Sequence, residues 1–145
     1  MSSESSIQRL GSCLCRQIRF TVLGEPYSCA VCHCINCKKS GGSAFSTSAF
    51  FTPDKIILTA GQELLRKYDD NDTTSGNTLT REFCANCGSS LFMSSPAKPE
   101  EITVSLDAVE DHAWVPHRET RPDARCPWVT IHKTEPKAKD EPSGL

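Results

Sequence analysis

Nine cysteines dominate the chemistry that this sequence can support. They lie at positions 13, 15, 29, 32, 34, 37, 84, 87 and 126. An odd number of cysteines cannot all pair as disulfides, and residues 1–6 contain neither the basic nor the apolar part of a secretory signal. We therefore expect a cytoplasmic protein whose thiols stay reduced, and metal ligation is the leading interpretation of the cysteines.

Two cysteine pairs are spaced to share one metal ion. Cys13 and Cys15 are two residues apart, so in an extended chain their side chains point to the same side. Cys84 and Cys87 form a C-x-x-C motif followed by Gly88, which suits the tight turn of a zinc knuckle. Together they supply four thiolates, and a closed four-cysteine site is structural. We predict that it joins the first strand to the middle of the chain across 68 intervening residues.

The middle cluster of cysteines is open to two interpretations. In the first, Cys29, Cys32, Cys34 and Cys37 form a second closed site, and the protein is not an enzyme. In the second, only Cys32, Cys34 and Cys37 are ligands, and one coordination position stays open, as in catalytic zinc sites. If residues 27–32 are extended, Cys29 and Cys32 point to opposite faces of the strand, which favours three ligands.

Strand signals dominate the sequence between its two ends. Short segments that alternate polar and apolar residues, or are rich in β-branched and aromatic residues, predict strands, whereas no window of 12 residues has a helical period. A loop is predicted at residues 69–77 from its composition. The predicted strands are residues 17–22, 46–52, 55–59, 79–83, 90–93, 101–106 and 128–131. The fold class is therefore mainly β, with short antiparallel strands stapled by zinc sites.

Composition and charge limit the domain and its partners. Leu, Ile, Val and Phe supply only 29 of the 145 residues, so we expect bound metal to add stability. The ordered domain is predicted over residues 9–133, with flexible ends at 1–8 and 134–145. No apolar run approaches the length that spans a membrane. A net charge of −2 and a pI near 6.1 count against a strong electrostatic grip on nucleic acid.

Three motifs in this order resemble the glutathione-dependent formaldehyde-activating enzyme family, to which centromere protein V also belongs. They are Gly-x-Cys-x-Cys from Gly11, Cys-His-Cys-x-x-Cys followed by two lysines from Cys32, and Phe-Cys-x-x-Cys-Gly-Ser from Phe83. The resemblance covers nearly the whole predicted domain. Arg16 departs from it, because members of the family usually carry glycine directly after the Cys-x-Cys motif.

The resemblance implies a small, tent-like β fold built around two zinc ions. The implied ligands of the structural zinc are Cys13, Cys15, Cys84 and Cys87, and those of the catalytic zinc are Cys32, Cys34 and Cys37. The implied reaction joins formaldehyde to glutathione as S-(hydroxymethyl)glutathione, and its reverse is a carbon–sulfur lyase step. Glutathione, as co-substrate, and a small aldehyde are therefore the expected partners.

A zinc ion with three thiolate ligands is a soft site that accepts another thiolate, such as that of glutathione. His117 is our candidate proton donor for the hemithioacetal product. We expect His33, which stands between two ligands, to point away from the metal in an extended chain. Lys38 and Lys39 are candidates for contacts with glutathione, because their charges suit a carboxylate and offset the negative site.

Two functions of different classes follow from these residues. The first is a zinc-dependent carbon–sulfur lyase that acts on glutathione adducts of a small aldehyde, with Cys29 and Cys126 left as inert thiols. The second is a non-catalytic, zinc-stabilised module of the same fold that binds another protein. An open coordination position favours the enzyme, whereas a closed site that includes Cys29 favours the module.

Overall fold

The structure is a computed structural model and describes residues 7–132. Ten strands and one short helix make up its regular structure over this range, together with several single turns of 3₁₀ helix. In chain order the elements are β1 (Gln8–Ser12), β2 (Arg19–Leu23), β3 (Ser28–Cys32), α1 (Ile35–Gly41), β4 (Ser46–Phe51), β5 (Ile56–Ala60), β6 (Leu65–Asp70), β7 (Leu79–Cys84), β8 (Ser90–Ser95), β9 (Lys98–Val104) and β10 (Arg118–Thr120).

The strands form two sheets. The larger has seven strands in the order β10-β3-β4-β9-β8-β7-β6, and the smaller has three in the order β1-β2-β5. All neighbouring strands are antiparallel except β10, which runs parallel to β3 and pairs Thr120 with Cys32. This parallel pair brings a late segment of the chain beside the middle cysteine cluster.

The core lies between the two sheets. The ring of Phe20 in β2 meets Phe92 in β8 edge to face, with the centroids 5.0 Å apart. Phe51 in β4 packs against Trp114, with the centroids 5.4 Å apart. Cys13 and Cys84 are buried in the same cluster of side chains. One cysteine from each of the two pairs that were predicted to share a metal ion is therefore part of the core of the domain.

Helix α1 follows β3 directly and carries part of the middle cysteine cluster. Cys34 is its N-cap, and its sulfur accepts a hydrogen bond from the backbone N–H of Cys37. At the other end Gly42 adopts the left-handed conformation, with φ 62°, that commonly ends a helix. Lys38 and Lys39 lie in the last turn, where positive charge is favourable.

The prediction of a mainly β fold with antiparallel strands is confirmed, and most of the predicted strands are present. One strand prediction is wrong: residues 128–131 form no strand. Pro127 and Trp128 lie in a turn closed by a hydrogen bond from the N–H of Val129 to the carbonyl of Cys126. The side chain of Trp128 is exposed, so these alternating residues have no core to face.

Several elements were not predicted from the sequence. Helix α1 and strands β1, β6 and β10 have no counterpart among the predicted segments, and β3 was considered only as a condition of the cysteine argument. Strand β1 includes Gln8, which was placed in a flexible end. The predicted loop at residues 69–77 begins two residues too early, because Asp69 and Asp70 complete β6. Residues 1–6 and the predicted tail at 134–145 lie outside the described residues.

Across residues 7–132, no helix has the length and apolar character that crossing a lipid bilayer requires.

Candidate functional site

The first candidate metal centre joins the turn after β1 to the end of β7 and the turn that follows it. The sulfur atoms of four cysteines lie within 4.8 Å of one another, and we call them the four-sulfur cluster: Cys13, Cys15, Cys84 and Cys87. Zinc–sulfur bonds of about 2.3 Å in a tetrahedron require sulfur atoms about 3.8 Å apart. The distances from Cys15 to Cys13 and to Cys84 are 3.5 and 3.9 Å. The donor set therefore fits a tetrahedral zinc ion.

Backbone N–H groups point at the sulfur atoms of this cluster. Cys84 accepts hydrogen bonds from the N–H groups of Asn86 and Cys87, at 3.3 and 3.5 Å. Cys13 accepts one from Ile18 at 3.4 Å. Burial raises the pKa of Cys87, but hydrogen bonds from Ser89 and the backbone outweigh it and lower that pKa to about 5. These donors favour the thiolate form that binds metal.

The second candidate metal centre lies where β3 meets α1. The sulfur atoms of Cys32, Cys34 and Cys37 lie within 4.8 Å of one another, and we call them the three-sulfur cluster. Cys32 ends β3, whereas Cys34 and Cys37 lie on the cap and first turn of α1. A short helix that begins directly after the strand thus brings the three thiols to one point. These soft donors fit zinc with one further coordination position.

The thiols of the three-sulfur cluster differ in pKa. The hydrogen bond between the side chains of Cys32 and Cys37 lowers the pKa of Cys37 and raises the pKa of Cys32. Burial opposes this effect at Cys37, but the Ser46 hydroxyl and the Arg81 guanidinium also favour the thiolate, and together these contacts lower the pKa of Cys37 to about 5. At neutral pH the cluster therefore already holds a thiolate, which is the form that ligates a metal ion.

Cys29 lies apart from the three-sulfur cluster. It is 5% exposed and packs in the core between the sheets, opposite Ala49 of β4. Cys32 stands three residues further along the same strand, so the two side chains project from opposite faces of β3. This arrangement matches the interpretation with three ligands.

A network of polar side chains holds the loop between β3 and α1 against strand β10. His33 is fully buried, and its Nε2 lies 2.9 Å from Oε1 of Glu119. Arg125 donates to both carboxylate oxygens of Glu119 at 2.7 and 2.8 Å. The backbone N–H of His33 also donates to the carbonyl of Thr120. His33 is therefore engaged by strand β10 and points away from the sulfur atoms on either side of it, as expected.

A second network holds helix α1 on its other side. Asn36 donates to both oxygens of Asp70, at 3.0 and 3.2 Å, and Arg81 donates to Asp70 at 3.0 Å. Arg81 also donates to the hydroxyl of Ser40 in α1. Burial raises the pKa of Asp70, but the hydrogen bonds from Asn36 and Arg81 hold it below its usual value. The helix that carries Cys37 is thus tied to β6 and β7.

The remaining residues predicted for the site lie around the three-sulfur cluster rather than in it. His117 is half-buried, and its backbone N–H donates to the carbonyl of Cys29. It therefore lies level with Cys29, about 10 Å along β3 from Cys32. The ammonium of Lys38 donates to the carbonyl of Ala124 at 2.6 Å, and Lys39 is exposed. The structure therefore groups the cysteines, whereas the ammonium of Lys38 is bonded to Ala124 and the side chain of Lys39 is exposed.

A groove of about 910 Å³ is lined by Cys13 of the four-sulfur cluster and by Ser46, whose side chain hydrogen-bonds Cys37 of the three-sulfur cluster. One wall comes from the turn after β1, including Cys13 and Arg16, and the other from residues 40–48, which follow the helix and enter β4. Ser46 of this wall is one of the residues that lower the pKa of Cys37. A smaller cavity of about 370 Å³ shares Phe45 and Thr47 with the groove. The larger volume lies in the range of ligand sites.

Two consecutive serines that line this groove connect the turn after β1 to the end of α1. The hydroxyl of Ser89 accepts from the backbone N–H of Leu14, between the first two cysteines, at 2.9 Å. The hydroxyl of Ser90 donates to the carbonyl of Ser40 in α1 at 3.0 Å. Because the two serines are consecutive, the turn after β1 and the end of α1 are close neighbours.

Sequence reasoning missed several residues around the groove. Arg81, Ser46 and Glu119 carry no motif, since β-sheet register and not sequence spacing brings them to the cysteines. Arg16 was noted only as a departure from a glycine. Its φ of 65° lies in the left-handed region, which costs a non-glycine residue about 1–2 kcal/mol. The usual glycine at this position was the available signal for that conformation.

Together the fold and these clusters define a small β domain with two candidate metal centres, one with four thiols inside the core and one with three beside a groove. The family model described as glutathione-dependent formaldehyde-activating enzyme matches residues 8–130. The chain belongs to this family, as its motifs indicated.

Two further comparisons agree with this membership. A protein of Halomonas elongata, provisionally named as a glutathione-dependent formaldehyde-activating enzyme, is 29% identical over 135 residues, covering 86% of this chain and 82% of that protein. A crystal structure of a Rhodobacter sphaeroides protein superposes with a TM-score of 0.57 at 20% identity, covering 77% of this chain and 99% of that one. The second comparison concerns the fold alone.

Proposed function

We propose that this protein is a zinc-dependent carbon–sulfur lyase that forms and cleaves S-(hydroxymethyl)glutathione from glutathione and formaldehyde. The observation that carries the proposal is the three-sulfur cluster, which gathers three thiols beside a groove while Cys29 lies in the core. Membership of a family named for glutathione-dependent formaldehyde activation supports the choice of substrates.

The residues proposed for the two zinc ions divide by their surroundings. The four-sulfur cluster offers a complete tetrahedral set inside the core, which suits a structural ion. Cys32, Cys34 and Cys37 offer three donors, which suits an ion with an open position. Zinc bound there supplies a soft position at which a thiol is taken up as its thiolate.

The protein's own residues would hold the reacting groups in place. The hydrogen bond between His33 and Glu119, and those from Asn36 and Arg81 to Asp70, fix the loop and the helix that carry the three thiols. The Arg81 guanidinium places positive charge beside this cluster. Formaldehyde is small and electrophilic, so holding it close to the sulfur of glutathione supplies much of the rate.

The addition requires one proton at a defined atom. The sulfur of glutathione forms a bond with the carbonyl carbon, the carbon–oxygen π bond breaks, and the oxygen takes up a proton to give the hydroxymethyl group. We propose His117 as the donor of this proton, with Lys38 and Lys39 as contacts for the glutathione carboxylates. The reverse reaction returns the proton from the hydroxyl and releases formaldehyde and the thiol.

Zinc stoichiometry should distinguish the two arrangements of the middle cysteines. We expect two zinc ions per chain, by elemental analysis of protein purified without chelator, in both the parent and Cys29→Ala. The physical reason is that Cys29 packs in the core and not with the three thiols. Loss of one zinc ion from the Cys29→Ala protein would instead indicate a closed four-cysteine site and favour the alternative, a non-catalytic protein-binding module.

The free thiol of glutathione should supply most of its affinity. S-methylglutathione keeps every charge of the peptide but has no thiol to ionise, so we expect it to bind at least about tenfold more weakly than glutathione. Isothermal titration calorimetry of the zinc-loaded protein measures both affinities. Oxidised glutathione serves as a second ligand without a free thiol. Equal affinities for the three ligands would show that the peptide alone is recognised, and the proposed function would be wrong.

A further inference from the structure

Arg16 is held in the wall of the groove by an unusual backbone conformation. The backbone N–H of Arg16 donates to the carbonyl of Cys13 at 3.0 Å, and this hydrogen bond closes the turn formed by residues 13–16. The turn requires the φ of 65° that glycine adopts without strain. The side chain is exposed and lines the groove. A strained residue at such a place suggests a role for its side chain in binding.

The other charges of the groove are already committed or negative. Arg81 is the second arginine of its lining, and it is paired with Asp70 at 3.0 Å. The lining carboxylates are Glu82, which pairs with Lys67, Glu110, which accepts from Ser12, and Asp107. Arg16 makes no ion pair among residues 7–132. It is therefore the guanidinium of the groove that an anionic ligand can engage.

The turn that carries Arg16 is linked to the end of α1, the helix that carries Cys37. Leu14, two residues before it, is bridged through Ser89 and Ser90 to the carbonyl of Ser40 at the end of α1. Ser46, which hydrogen-bonds Cys37, and Arg16 line the same groove. A thiol peptide held by the sulfur of its central cysteine at the cluster would therefore extend an arm into the groove that Arg16 lines.

We propose that Arg16 binds the glycine carboxylate of glutathione and so sets the orientation of the peptide in the groove; this inference rests on the proposed function. The glycine carboxylate is the isolated negative charge of glutathione, since its other carboxylate shares a carbon with the ammonium group. A guanidinium binds a carboxylate through two parallel hydrogen bonds.

The test combines two variants with two ligands. Arg16→Gly and Arg16→Asn both accept the left-handed backbone and remove the charge. Calorimetry should show that each binds glutathione about tenfold more weakly than the parent. Glutathione esterified at its glycine carboxylate should bind the parent about tenfold more weakly than glutathione, and the variants should bind ester and free peptide equally. Thermal melting should give midpoints no lower than that of the parent.

The outcomes separate this inference from the function on which it rests. If the parent binds glutathione but the variants bind it equally well, or if the parent does not distinguish the ester, Arg16 does not bind this carboxylate and the inference alone is overturned. If the parent fails to bind glutathione, the proposed function and the inference fall together. Melting midpoints several degrees lower in both variants would give Arg16 a structural role instead.

Discussion

Cys84→Ser is expected to abolish the folded domain. Cys84 is fully buried, ends β7 and contributes to both the core and the four-sulfur cluster. Structural zinc sites contribute about 10–16 kcal/mol of apparent binding energy, which equals or exceeds the stability of a whole domain at about 5–15 kcal/mol. We expect loss of the β signal in far-ultraviolet circular dichroism and loss of zinc from the purified protein.

Cys37→Ser is the matched comparison. Cys37 is also a buried cysteine of a candidate metal centre, but its centre lies at the end of β3 and does not join distant parts of the core. We expect this variant to keep the circular dichroism signal of the parent and to lose affinity for one of two zinc ions. Equal loss of folded signal in the two variants would refute the division into a structural and a catalytic site.

Gly61→Ala should destabilise the domain strongly. Gly61 has φ 81°, and a Cβ there would lie 2.2 Å from the carbonyl oxygen of Gln17, in the loop that carries Cys15. The left-handed backbone and the overlap with a backbone atom together should cost about 2–5 kcal/mol. Thermal unfolding should show a melting midpoint lower by roughly 10 °C.

Gly76→Ala separates the two causes of that loss. Gly76 has the same φ of 81°, but a Cβ there meets no atom within 4 Å. It should therefore cost only the conformational part, about 1–2 kcal/mol. A loss for Gly76→Ala as large as that for Gly61→Ala would mean that the close approach of Gly61 to Gln17 does not matter to stability.

The strands that the sequence predicts well are those with one face in the core. In residues 17–22 the alternation of Ile18, Phe20 and Val22 is matched by three fully buried side chains. The observed strand starts later, at Arg19, because the preceding residues close the cysteine turn, in which the N–H of Cys13 donates to the carbonyl of Ile18. Burial on one face thus predicts a strand but not its boundary.

The missed elements lack this signal for physical reasons. Strand β6 is an edge strand with four consecutive exposed residues, Arg66 to Asp69, so it has no alternation. Strand β10 has three residues, and α1 has seven, too few for a helical period. Capping by Cys34 and by Gly42 was the signal for the helix, but a cysteine is an unusual N-cap.

The residues of the candidate site also fall into two groups, those that the sequence could predict and those that it could not. Local spacing was enough to group the cysteines, and strand parity was enough to set Cys29 apart from Cys32. The hydrogen-bond partners of the site could not be predicted, because Glu119 is 86 residues from His33 and Asp70 is 34 residues from Asn36. Such contacts depend on the register of β10 and on the position of β6, neither of which has a sequence motif.

The two clusters also differ in when they can form during synthesis. Cys32, Cys34 and Cys37 leave the ribosome within six residues of one another, whereas Cys15 must wait for Cys84 across 68 residues. At about 5–20 residues per second this wait lasts roughly 3–14 s. In the nascent chain the thiols of the three-sulfur cluster can therefore come together first, and β1 and β2 remain without their link through the four-sulfur cluster until the second half of the protein is made.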